Sequence, residues 1–197
     1  MTTVRFYLAV LLVVSVPPVV AFWCVAHTLA PLWRRVGTWV AYTVLVGLMF
    51  VVGWGCFLVR DVLMGRDLGN HALLAISGLL LYGFSVLPEL RIRKHLTLKT
   101  LVGFPELAPD RTESELLTEG IYGRVRHPRY AATLVGMTGF ALVTNYSGVY
   151  LVVALALPGI YLITVLEERE LLVRFGEAYR RYQEEVPRFV PRLWRGE

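Results

Sequence analysis

Charge is scarce in this sequence, and lysine is nearly missing from it. Charged residues make up 18% of the 197 positions, against about 25% in an ordinary soluble domain. From Tyr130 to Leu166 no charged residue occurs for 37 consecutive positions. Runs of that kind cannot form the solvated face of a water-soluble helix or strand. Cysteine is equally sparse. Cys24 and Cys56 are the only two, both inside apolar blocks, which excludes a disulfide framework or a CxxC metal or redox motif. The four histidines are scattered, so no metal site is suggested. The net charge is +5, but no recognition motif accompanies it, and nucleic acid is not an expected partner.

What is present is apolar surface in long blocks. Hydrophobic residues reach 56%, with a mean hydropathy of +0.56. This predicts an all-α integral membrane protein, a single membrane domain over 1–197. A helix needs about 20 residues to cross the hydrocarbon core. The blocks 6–29, 36–59 and 72–90 predict three spans within residues 1–90. Pro17 and Pro18 are expected to kink the first. Gly47, Gly53 and Gly55 are expected to let a neighbour approach the second closely. Arg5 followed by an apolar run also resembles a secretory leader. That run continues to Trp33, interrupted only by His27, and reads as a retained span.

Residues 91–129 form a polar segment, opening on RIRKH and containing GFPELAPD and RTESELLTEG. It reads as a cytoplasmic loop with a short interfacial helix near 113–118, and Glu106 as a lid or acceptor-loop candidate beside a plain turn. The uncharged run 130–166 is too long for one span. TNYSG, at 144–148, supplies turn formers in its middle, so two short spans should form a hairpin, for about five spans in all. In the tail, 167–197, Leu172, Phe175, Tyr179, Tyr182 and Val186 recur at spacings of three and four. They predict an amphipathic helix lying on the membrane surface. Arginine is concentrated on the side holding residues 34–35, 91–129 and the tail. The positive-inside rule then predicts an external N-terminus and a cytoplasmic C-terminus.

The hairpin has a chemical consequence. Arg126-His127-Pro128 opens its first span and Glu167-Glu168 closes its second. Two antiparallel packed helices lie about 8–10 Å apart, so these groups should share one pocket at the membrane edge. The helix N-terminus suits an anionic group. A pair of carboxylates at a helix C-terminus sits against the local dipole, which suits a cationic or hydroxyl-bearing ligand, or the arginines nearby. Taken singly, each element has a plainer reading. The arginines, Arg124 and Arg129 among them, are anchors, the tyrosines an aromatic belt, and the glutamates the solvated start of the tail helix.

GIYGRVRHPRY (120–130), a hairpin, and then EERELLVRFGEAYRRYQEEVPRFVP together resemble the isoprenylcysteine carboxyl methyltransferase and phospholipid methyltransferase group of membrane enzymes. The likeness covers about residues 116–192. It implies S-adenosylmethionine as methyl donor and a lipophilic acceptor entering from the bilayer, with membrane lipids around it. It implies a cofactor site built from Gly120, Tyr122, Arg126, His127, Pro128, Tyr130, Glu167, Glu168 and Tyr182. Of these, His127, Pro128 and Tyr130 would form the wall. Either glutamate would take ribose or amino groups, and Arg126 the cofactor carboxylate or a glutamate. Glu168 and Arg188 are the residues it implies for catalysis, Arg188 orienting an acceptor carboxylate. The acceptor pocket is expected among spans three to five. A prenylcysteine carboxylate, a phospholipid amine or another lipophilic molecule all remain open as acceptor. A reductase of the sterol-reductase kind and a non-catalytic membrane protein are the competing readings.

Overall fold

The structure, a computed structural model, describes residues 2–92 and 116–192. The expected interfacial helix falls largely outside them, as does Glu106. Its described part, 116–118, is not helical. The described residues form helices and no strand. In order these are α1 (Thr2–Thr28), α2 (Ala30–Val36), α3 (Thr38–Leu58), α4 (Arg60–Met64), α5 (Ala72–Ile92), α6 (Pro128–Thr144), α7 (Ser147–Phe175) and α8 (Glu177–Glu185).

Three helices are long and apolar enough to cross a membrane: α1 over Thr3–Thr28, α3 and α7. Of the five expected spans, the third and fourth are the short ones. The apolar part of α5 is Ala72–Pro88, and α6 has 17 residues. These two lie against each other along their length. A tighter approach occurs here than at the glycines of α3, of which Gly53 alone nears a neighbour, its added Cβ standing 3.7 Å from Pro18 of α1. A Cβ at Gly139 would stand 2.6 Å from the Gly78 carbonyl oxygen and 2.8 Å from the Tyr82 amide. Nothing lies within 4 Å of one at Gly47 or Gly55. The reason is geometric: α3 packs mainly on α1, through Ala41 and Leu45 against Phe22 and Ala26, touches α2 and α4 besides, and leaves most of its remaining surface exposed.

α1 is the central post. Ala9, Leu12 and Val13 pack on Val149 and Val153 of α7, while its C-terminal half packs on α3. Most side chains elsewhere on α3 and α5 face outward and are large and apolar, such as Trp39, Phe50, Leu73 and Leu80. In water such exposure would be costly. In hydrocarbon it is the expected surface.

The hairpin turn is as tight as TNYSG suggests. Asn145 adopts the left-handed conformation (φ 52°) and ends α6, and α7 starts two residues later. The expected amphipathic tail helix is divided. α7 runs on to Phe175, and Gly176 (φ 56°, ψ −128°) breaks the chain before α8. The predicted stripe nevertheless stays together, because the break folds α8 back. Tyr179, Tyr182 and Val186 form one buried cluster with Leu172 and Phe175.

Candidate active site

Two successive backbone amides fix the entry to α6. Arg126 N–H donates to the Pro187 carbonyl (2.9 Å) and His127 N–H to that of Arg188 (3.0 Å). Pro128 then occupies the first helical turn, where its missing N–H removes nothing. The tail segment after α8 is thereby laid along the start of α6. Glu168 stands where the two meet. It is 4% exposed and accepts from Arg126 Nε (2.9 Å), His127 Nε2 (3.0 Å), Gln183 Nε2 (3.0 Å) and both Nε (3.1 Å) and Nη2 (2.6 Å) of Arg188. Arg126 also donates to the carbonyls of Gln183 and Val186. A buried carboxylate is tolerable only when its lone pairs are filled like this.

Tyr182 supports the hub from behind. Its hydroxyl donates to the Tyr122 carbonyl at 2.7 Å, and burial pushes its pKa up to about 12, so it remains a neutral donor. The hydrogen bonds from Arg188 to Glu168 raise the guanidinium pKa, which keeps it cationic. Its charge also lies over the Tyr161 ring at 4.9 Å.

Beside the hub is a cavity of about 350 Å³, within the range of small-molecule sites. Tyr122, Arg126, His127, Pro128 and Tyr130 form one wall, together with Arg129. Glu167 and two isoleucines of α7 form another. The His127 and Tyr130 rings lie 5.7 Å apart. Glu167 Oε2 is buried and finds no hydrogen-bond partner among the described residues. His127 Nδ1 stands 3.8 Å from it. An unsatisfied buried carboxylate oxygen of this kind costs stability unless a ligand donates to it. Hydroxyl or amino groups, as on a nucleoside bearing an amino acid, fit it.

The site residues inferred from sequence therefore separate into two layers. Tyr122, Arg126, His127, Pro128, Tyr130 and Glu167 face the cavity. Glu168, Arg188 and Tyr182 stand behind it, and Gly120 lies in the preceding turn with φ 64°. Arg129, read from sequence as an anchor, lines the cavity as well.

The third wall is the one sequence reasoning missed. Ser15, Val16, Val19, Val20, Trp23 and His27 of α1 close the cavity, where spans three to five were expected. One signal was present: His27 is the only interruption of the first apolar run, and an ionisable group inside a span is a functional candidate by default. A second, almost wholly apolar cavity of about 300 Å³ adjoins the first, sharing Ser15, Val16, Thr133 and Met137. Among the described residues no cluster of metal-ligating side chains occurs.

Comparison with known proteins extends this picture. No solved structure matches the chain. Among curated proteins, it is 34% identical over 83 residues to the nickel-cobalt-cadmium resistance protein NccN of Alcaligenes xylosoxydans xylosoxydans, covering 42% of this chain and 39% of that one. It is 34% identical over 89 residues to the cobalt-zinc-cadmium resistance protein CzcN of Cupriavidus metallidurans, covering 44% and 41%. It is 35% identical over 101 residues to methanethiol S-methyltransferase 1 of Bradyrhizobium diazoefficiens, covering 51% and 32%. The matches thus span about two fifths or less of those relatives' lengths. The phospholipid methyltransferase family model matches residues 73–178, which takes in α5, the hairpin and the glutamate pair. On that match over more than half its length, the chain belongs to the phospholipid methyltransferase family.

Proposed function

We propose that this protein is an integral membrane methyltransferase that moves a methyl group from S-adenosylmethionine to a lipophilic acceptor. The observation that carries the reading is the two-ended cavity. At one end Glu167, His127, Tyr122 and Tyr130 offer a carboxylate and aromatic rings. At the other, Val16, Val19, Met137 and Ile160 offer apolar surface, with Ser15 and Thr133 adding only hydroxyls. A polar donor and an apolar acceptor can meet only in a site with both characters.

The donor's sulfonium supplies an already activated methyl group, so the chain's task is alignment and exclusion of water. Glu167 takes a hydroxyl or amino group of the donor through the oxygen left unsatisfied. His127, held at Nε2 by Glu168, keeps a fixed ring face toward the cavity. Glu168 and Arg188 act one step removed, as positioning residues that lock Arg126 and His127. With two of its nitrogens committed to Glu168, Arg188 is poorly placed to orient an acceptor carboxylate. The adjoining apolar cavity between α1, α5 and α6 suits the acceptor's hydrocarbon part. The arginine-rich end carrying the site is proposed to face the cytoplasm, with the N-terminus outside.

The test is S-adenosylhomocysteine titration of the purified protein, followed by labelled-methyl transfer into a membrane lipid extract. Binding and a labelled apolar product are expected. Binding of a reduced nicotinamide in place of S-adenosylhomocysteine would overturn the proposal. A second reading narrows the acceptor to a small thiol, favoured by the match to a protein named as a methanethiol S-methyltransferase.

A further inference from the structure

His27 lies outside the family match, and the donor site described above does not use it. Between Arg5 and Arg34 the sequence has no other charged or imidazole-bearing residue. The residue is 5% exposed and lines the cavity on the wall formed by α1. Its Nδ1 stands 2.8 Å from Glu170 Oε1, and the ring stacks on Trp23 with centroids 5.5 Å apart and planes at 23°. Glu170's second oxygen takes Arg34 at 3.4 Å. A carboxylate at Nδ1 holds the proton on that nitrogen, which makes Nε2 the basic atom of the neutral ring, and it steadies the imidazolium once formed.

We infer that His27, oriented by Glu170, is the general base of the transfer, and that the acceptor accordingly carries a proton on the atom to be methylated, as a thiol or an ammonium does and a carboxylate does not. The inference rests on the methyltransferase reading and narrows its acceptor. The acceptor's proton passes to His27 Nε2. Its freed lone pair forms the new bond to the methyl carbon as the carbon–sulfonium bond breaks, and that bond's electrons return to sulfur, giving neutral S-adenosylhomocysteine. The proton then leaves the imidazolium to water. Glu170 is a positioning residue in this scheme.

Other titratable groups face the same space and must be separated from His27 in any pH test. Glu167 on α7 and His127, Arg126 and Tyr122 stand across the cavity, with Arg129 and Tyr130 at the start of α6. Arg34 shares Glu170 with the histidine. His127 is the other imidazole, but its Nε2 is held by Glu168.

The experiment uses the full chain in proteoliposomes with labelled S-adenosylmethionine and four probes: cyclohexanethiol, thiophenol, a long-chain dimethylamine and a prenylated N-acetylcysteine. Thiophenol is similar in bulk to cyclohexanethiol but is largely ionised at neutral pH. His27→Asn keeps an amide near the Nδ1 position to reach Glu170. It should leave S-adenosylhomocysteine affinity within about twofold while lowering turnover of cyclohexanethiol by roughly 10²–10⁴. It should spare thiophenol, and the loss with cyclohexanethiol should shrink as pH rises and the thiol ionises unaided. Glu170→Gln should reproduce the pattern in weaker form. If the dimethylamine alone is methylated, a variant deficit that fades at high pH supports the inference with ammonium as acceptor. Equal losses on both thiols at every pH, or wild-type activity confined to the prenylcysteine carboxylate, would overturn it while leaving the methyltransferase reading intact. Wild-type protein that binds no S-adenosylhomocysteine would overturn both.

Discussion

The two ends of the bundle each hold an arginine–carboxylate cluster, and the clusters are built differently. At the end away from the cavity, Arg5 donates to the Thr144 carbonyl through Nε (3.0 Å) and Nη2 (2.8 Å) and to Asp67 (2.7 Å). Asn145 reaches the Gly69 carbonyl at 2.9 Å and accepts from the Tyr150 hydroxyl at 3.0 Å. This network caps the C-terminus of α6 and ties α1 to the hairpin turn. At the other end Glu168 is as fully bonded, but its neighbour Glu167, which lines the cavity, keeps one buried oxygen without a hydrogen-bond partner among the described residues. A saturated charge cluster in a membrane protein is read as a fastening. The neighbour left unsatisfied beside it marks the site.

The largest test of this contrast removes the fastening at the cavity end. Glu168→Ala leaves Arg126 and Arg188 partly buried without their carboxylate and should cost about 3–5 kcal/mol. The expected result is a lower melting temperature together with loss of S-adenosylhomocysteine binding. Arg5→Ala acts on the other end. It should cost about 2–3 kcal/mol of stability, read as a lower melting temperature, while dissociation constants measured below the new melting point stay unchanged. An affinity loss there would mean the two ends are coupled. Glu167→Gln should do the reverse. Melting should barely move, and S-adenosylhomocysteine affinity should fall ten- to a hundredfold, about 1.5–3 kcal/mol.

The smallest effect is a pH dependence. The Gly69 amide and then Arg5 hold the Asp67 carboxyl below its ordinary value of 3.8. A depressed carboxylate contributes stability that is complete above the unfolded value and is lost as pH falls through the folded one. The melting difference between wild type and Asp67→Asn should therefore be full near pH 6 and vanish well below pH 3.8. A difference that persists in acid would show that shape, not charge, holds this end.

The C-terminal half of the site was legible in sequence because its signals are polar residues in an apolar setting. TNYSG marked the turn, and the turn brought Arg126-His127 to Glu167-Glu168. Two things were not legible. Which glutamate faces the cavity depends on a rotation of about 100° per residue along α7, and adjacent residues give no means to choose. The wall formed by α1 is Val, Ser and Trp within a uniformly apolar run, where periodicity cannot separate a lipid-facing side from a cavity-facing one. Gly176 was visible as part of Phe175-Gly176, but nothing in its spacing announced a break, since the apolar stripe runs across it unchanged.

The unequal legs of the hairpin have a consequence for the bilayer itself. With 29 residues, α7 is about 43 Å long, while the 17 residues of α6 reach only about 26 Å. The hydrocarbon core is about 30 Å thick. Glu168 lies 21 residues into the long leg, about 30 Å from the turn, and meets Arg126 and His127 there, so the charged cluster stands at one depth on both legs while α7 runs on beyond it. A hydrocarbon core thicker than the short leg would press lipid against this cluster, and one that matches the leg would leave the cluster wetted. Bilayers of graded acyl-chain length then become a graded control on that wetting.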